Sequence, residues 1–105
     1  MMLNSKQPDS ELVTTILEPL LEDFQYWFQR SRQLLETEDI ACLAAEQQAD
    51  LLARVVAAQS QVQTVQTLLQ ATDGKAGVEV AVLTPWHQLV MECWQVAMQH
   101  RGKNP

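Results

Sequence analysis

A seven-residue rhythm runs through the middle of this chain. Ala41, Ala44, Gln48, Leu51, Val55, Ala58, Val62, Val65 and Leu69 recur at alternating steps of three and four. Only an α-helix returns a side chain to one face at that interval, and an apolar seam must be covered by another helix. The rhythm predicts a long helix over about 38–73, roughly 50 Å end to end at 1.5 Å per residue. Gly74 is its expected stop, because glycine enters the left-handed region without a side-chain clash.

A second amphipathic stretch precedes it. Val13, Leu17, Leu20, Phe24, Trp27, Ser31 and Leu34 follow the same alternation, and Ile16, Leu21, Phe28 and Leu35 widen the stripe into a face. This predicts a helix over about 9–36, started by Asp9 and Ser10 after Pro8. Pro19 interrupts it, and a kink rather than a break is expected because the apolar pattern continues on both sides. Thr37 reads as the cap of the following helix, with Glu38 and Asp39 in its first turn. A connection that short folds the two helices back as antiparallel neighbours. An uninterrupted helix through Thr37 is the alternative, since no Gly or Pro marks the turn. In the hairpin register, Trp27 faces Gln47 and Gln48, Phe24 faces Leu51, Leu20 faces Val55 and Val13 faces Val62. Large aromatics then meet Ala41, Ala44, Ala45 and Ala49. Gln48, the polar member of the seam, is expected to fix register by bonding Trp27 or Ser31, or else to lie exposed beside it.

Past Gly74, Lys75 to Gly77 reads as a turn and Val78 to Leu83 as an extended crossover, or a strand pairing with its own copy. Thr84 followed by Pro85 is a helix start, so a third helix is expected over about 85–100. Trp86, Leu89, Val90, Cys93, Val96 and Ala97 face inward there, and Gly102 ends it. The expected fold is all-α: a long antiparallel hairpin with a shorter C-terminal helix, dimerising into a bundle. One helical domain spans 9–101, with tails at 1–8 and 102–105. On that register the second helix overshoots the first, leaving Val65, Leu68 and Leu69 to be covered by the third helix or a second copy. A homodimer is the expected cover, with a monomeric three-helix bundle as the alternative.

Composition narrows function by exclusion. The chain of 105 residues carries a formal charge of −6 and is 47% hydrophobic, too apolar for disorder. The acidic balance, without a basic stripe, argues against nucleic acid and anionic membranes. No apolar run reaches the ~18–20 residues of a membrane span. The first nine residues lack the pattern of a secretory signal, so a cytoplasmic location is expected. Two cysteines, Cys42 and Cys93, define no disulfide framework and read as buried free thiols inside helices.

No catalytic residue and no cofactor are assigned. His87 and His100 are thirteen residues apart, not four, and share no cluster, and Cys93 lacks a cation to stabilise its thiolate. Glycine-rich phosphate loops are absent. Glu18 and Glu22 share a helix face, as do Glu46 and Asp50, and the hairpin register brings position 22 level with 50. Such facing carboxylates can hold magnesium or a metal pair. They resemble the all-helical nucleotide pyrophosphohydrolases, whose motifs are Glu-x-x-Glu and Glu-x-x-Asp. Glu36 to Asp39 alone has the second spacing, across the turn, so the resemblance departs where ligand geometry matters. A small metal-dependent hydrolase using those four residues is therefore an alternative, ranked below a solvated acidic face.

The aromatic residues point elsewhere. Phe24, Tyr26, Trp27 and Phe28 cover more than one helix face, and Trp86 and Trp94 share the short third helix with Met91 and Met98. Not all can point inward, and exposed aromatics and methionines mark contact surfaces. Tyr26, Trp27, Phe28, Arg30, Trp86, Trp94 and Met98 are the candidate interaction residues. A non-enzymatic helical adaptor that binds another protein is the first reading; peripheral membrane association through Trp86, Trp94 and the methionines is a further alternative. Gln59, Gln61, Gln63, Gln66 and Gln70 form an uncharged polar face, solvated or buried in an assembly.

At Glu18-Pro19-Leu20-Leu21-Glu22-Asp23-Phe24 and the following Tyr26-Trp27-Phe28, the chain resembles a family of short cyanobacterial helical proteins of unknown function. The resemblance covers mainly the first helix. It implies a cyanobacterial cytoplasm and assigns no functional residue.

Overall fold

The structure, a computed structural model, describes residues 10–73 and 80–103. The expected tail at 1–8, the turn at 75–77 and the first two residues of the expected crossover lie outside that range. Three helices follow one another: α1 (Ser10–Thr37), α2 (Ala45–Ala71) and α3 (Val80–Lys103). α1 packs against both α2 and α3. The described residues contain no strand.

One apolar core runs the length of the bundle. α1 contributes Leu17, Leu21, Phe24, Phe28 and Leu35; α2 contributes Leu51, Val55, Ala58, Val62 and Leu69; α3 contributes Trp86, Leu89, Val90, Cys93 and Val96. The heptad of α2 holds from Leu51 onward, and the inward set of α3 is as expected except that Ala97 is only half-buried. On α1 the face is rotated: Leu21, Phe28 and Leu35, three of the residues that widened the stripe, join Leu17 and Phe24 in its centre, while Ile16 and Leu20 are exposed.

Both internal prolines are carried without a break. α1 is continuous through Pro19, and α3 starts five residues before Pro85 instead of at it. Each proline removes one amide hydrogen and frees a carbonyl four residues earlier. Pro19, Pro85 and the corresponding Thr15 and Ala81 are all exposed, so water can take up what the ring displaces. Residues 80–83 are therefore helical, not extended.

The hairpin turn is the largest correction. Thr37 is the last residue of α1, and its hydroxyl donates to the carbonyl of Gln33. The connection is a loop over 38–44. Ile40, 2% exposed, plugs the end of the core from that loop, and Cys42 and Leu43 pack against the core beside it. Ala41, Ala44, Ala45 and Ala49 are exposed and do not receive the aromatics of α1. Burying Ile40, a gain of about 1.5–3 kcal/mol, holds the loop across the end of the helices. α2 then starts with an alanine cap. Ala44 has no side chain to offer, and Gln47 accepts from its amide at 2.8 Å, half of a capping box.

The longer loop resets the register. Gln48 lies level with Leu35, whose carbonyl accepts from its Nε2 at 2.9 Å. Gln29 meets Gln59 and Gln25 meets Gln66. With α1 and α2 of nearly equal length, the expected overshoot disappears: Leu69 is buried and Val65 half-buried within one chain, while Leu68 remains exposed. At the far end of α2, Asp73 takes the left-handed conformation (φ 56°); Gly74, the expected stop, lies outside the described residues. Aspartate is among the few residues that tolerate that conformation.

Candidate interaction surface

The aromatic residues of α1 divide between core and surface because 3.6 residues per turn spreads consecutive side chains around the helix. Phe28 is fully buried and stacks on Phe24, their centroids 6.0 Å apart. Phe24 meets Trp86 of α3 edge-on at 5.7 Å. Trp86 is 3% exposed and donates its indole hydrogen to Gln61 Oε1 at 2.9 Å. Phe28 and Trp86, named as interaction candidates, are thus core residues of the single chain.

The others meet on the opposite flank of α1. Trp27, half-buried, has Tyr26 edge-on at 5.1 Å and Trp94 edge-on at 5.1 Å on its other side. Arg30 closes the row: its Nη1 donates to the Tyr26 hydroxyl at 3.0 Å, and its guanidinium lies 5.7 Å from the ring centre. The result is a solvent-facing ladder Arg30–Tyr26–Trp27–Trp94 that bridges α1 and α3. Tyr26 is 52% exposed, Trp94 39% and Met98 63%, with Met91 exposed beside them. Ile16 and Leu20 precede Trp27 on the same flank at helical spacing. The sequence reading expected both in the core. The signal that they are not is the width of the α1 apolar arc, which exceeds what one contact face can cover.

The glutamines are structural. Gln25 Nε2 donates to the Gln59 carbonyl at 3.0 Å, Arg32 Nη1 donates to Gln59 Oε1 at 3.1 Å, and Gln59 Nε2 donates to Gln29 Oε1 at 2.9 Å. They tie α1 to α2 along the edge of the core. Gln48 does something different. Its Nε2 donates to the carbonyls of Leu35 (2.9 Å) and Glu38 (2.8 Å), and its Oε1 accepts from the Ile40 amide at 3.1 Å. A helix end leaves carbonyls without partners; here the next helix supplies the cap. Neither expected partner is used, since Ser31 donates to the Trp27 carbonyl.

The other candidate chemistry does not assemble. Gln25 beside Gln66 puts Glu22 near the far end of α2, well over 12 residues, or about 18 Å, from Asp50. Among the described residues no three His, Cys, Asp or Glu side chains converge as a metal would need. Cys42 sits half-buried in the loop, not in a helix, and Cys93 is buried; both are free thiols. Burial pushes the Cys93 thiol above its ordinary value, the opposite of what a nucleophile needs. His87 is exposed and His100 lies 3.5 Å from Glu38, so neither serves Cys93.

A shallow cleft of about 350 Å³ opens between the start of α2 and the end of α3, floored by Leu43, Leu51 and Val96. Across it Arg54 donates to both carboxylate oxygens of Glu92, at 2.8 and 2.9 Å. This pair holds the Glu92 carboxyl below its ordinary range, chiefly through the hydrogen bond. Its stabilisation is therefore present above about pH 4.3, the ordinary carboxylate value, and is lost as pH falls through the lower folded value. Both side chains are nearly half exposed, so Glu92→Gln is expected to cost less than about 1 kcal/mol at pH 7. Urea melts at pH 7 and pH 3 check this. A difference that persists at pH 3 would mean that packing, not charge, is the cause.

These features define a three-helix bundle with a filled core and one uncovered aromatic flank along α1 and α3. Among the described residues no helix is long and apolar enough to cross a membrane. The chain belongs to a protein family of unknown function, DUF2605, which matches residues 7–102 and so takes in all three helices. No curated protein and no solved structure matches it.

Proposed function

We propose that this chain is a non-enzymatic protein-interaction module that works through its α1/α3 flank, in the cytoplasm of a cyanobacterial cell. The observation that carries the reading is the ladder of Tyr26, Trp27 and Trp94, held by ring contacts and by Arg30, in which Tyr26 and Trp94 stay exposed on either side of the half-buried Trp27. Aromatic, methionine and arginine side chains are the types that dominate binding energy when a partner dries them. Pre-ordered rings lose little freedom on docking, so more of the contact energy appears as affinity. The dispersed carboxylates favour this over the metal-dependent hydrolase.

Sedimentation and a pull-down from the native organism test it together. The wild-type chain is expected to hold a protein partner, itself or another, that Trp94→Ala or Tyr26→Ala loses by roughly tenfold or more, as for an anchor residue worth ~2 kcal/mol. Both substitutions fall on exposed rings, so circular dichroism should show unchanged helix. A chain that sediments alone, retains nothing and floats with lipid vesicles through Trp94 would overturn the reading in favour of a membrane surface.

A further inference from the structure

We infer that the occupant of the α1/α3 flank is a second copy of this chain, docked antiparallel across a two-fold axis level with Tyr26 and Trp27. The inference rests on the interaction reading above and names its partner.

Two observations carry it. First, the exposed apolar side chains concentrate on this flank. Ile16, Leu20 and Tyr26 lie on α1, and Met91, Trp94 and Met98 on α3. At full side-chain areas of about 150–250 Å² they leave on the order of 600 Å² of apolar surface in water. That reaches the upper end for a monomer and approaches the ~800 Å² per partner of a stable interface.

Second, the charges on α1 are self-complementary. Asp23 and Arg30 are both exposed and seven residues apart, hence on nearly the same face of α1, with Tyr26 and Trp27 midway between them along the chain. An isologous contact places residue i against j and j against i. An antiparallel pairing of α1 with its copy, centred between 26 and 27, sets Asp23 of each chain against Arg30 of the other. The guanidinium has five donors and only Nη1 is given to Tyr26, so a carboxylate can be accepted without dismantling the ladder.

Charge exchange tests the geometry. Asp23→Arg brings two arginines together at each contact, and Arg30→Asp brings two aspartates together. Each variant alone is expected to dimerise at least about tenfold more weakly than wild type, since like charges across an interface cost several kcal/mol. Mixed together, a D23R chain and an R30D chain restore both contacts. Native mass spectrometry of mass-tagged chains should then find the mixed dimer well above its statistical share. A statistical mixture, or no recovery on mixing, overturns the two-fold geometry. A wild-type chain that is monomeric at hundreds of micromolar overturns the inference outright; if such a chain still captures a protein through Trp94, the interaction reading stands without it. Wild-type dimers that Trp94→Ala leaves intact would place self-association elsewhere and also overturn it.

Discussion

Replacing Gln48 by leucine is expected to lower stability by about 2–3 kcal/mol, although leucine would complete the apolar heptad of α2. The loss comes from three backbone groups. Without the amide, the Leu35 and Glu38 carbonyls and the Ile40 amide lose their partners. An unsatisfied buried group costs about 1–3 kcal/mol. Leu35 and Ile40 are buried, while Glu38 is exposed and water can reach it, so the total stays below three full penalties. In a domain of this size each kcal/mol moves Tm by about 4–8 °C, which predicts a drop of roughly 10–20 °C in a thermal melt. Gln48→Glu separates the parts. It keeps an acceptor for Ile40 but turns a second oxygen toward two carbonyls, so it should be at least as damaging at neutral pH. Part of the loss should return in acid, where the protonated carboxyl donates again. A leucine variant as stable as wild type would show that the loop gains nothing from this cap.

Phe28→Ala should be the most damaging single truncation, about 3–5 kcal/mol. Phe28 is the largest of the fully buried side chains and stacks on Phe24, which in turn touches Trp86. The ring therefore sits where α1 faces α3, and its removal opens a cavity that rigid neighbours cannot refill. Against a total of 5–15 kcal/mol for a typical domain, the variant would approach its unfolding midpoint in water. Phe28→Leu keeps most of the volume and should cost less than about 1.5 kcal/mol. Urea titration reads both, as a shift in midpoint at constant slope. An alanine variant within 1 kcal/mol of wild type would remove Phe28 from the core.

Much of the fold was legible because periodicity reports burial directly. The seam Leu51–Val55–Ala58–Val62–Leu69 and the inward set of α3 could be read from spacing alone, since one face of each helix is apolar and the other is not. The end of α2 was misplaced at its start for a specific reason. Ile40, Ala41, Leu43 and Ala44 fit a helical repeat as well as they fit a loop, and alanine favours helix wherever it stands. What excluded helix there was Ile40 finding a place at the bundle end and Gln48 bonding the chain around it. Both are contacts between segments, invisible to local propensity.

The candidate surface was half legible for a related reason. Tyr26, Trp27, Arg30, Trp94 and Met98 were singled out because α1 and α3 hold more large apolar residues than one bundle can enclose. Phe28 and Trp86 belonged to the same count, and only the position of α3 separates them from the exposed set. Trp86 of α3 covers Phe24, on which Phe28 stacks, while Tyr26 stays exposed. Ile16 and Leu20 went the other way, exposed by the same rotation.

The order of hydrophobic and polar residues along this chain determines that it makes helices and which stripe of α2 and α3 is dry, because those depend on neighbours within two turns. The loop length, the pairing of α1 with α2, and the choice of which aromatic rings stay wet depend on how three helices share one volume. That competition for a common interior is decided only when all three are in place, and it is what leaves Tyr26 and Trp94 exposed beside a half-buried Trp27.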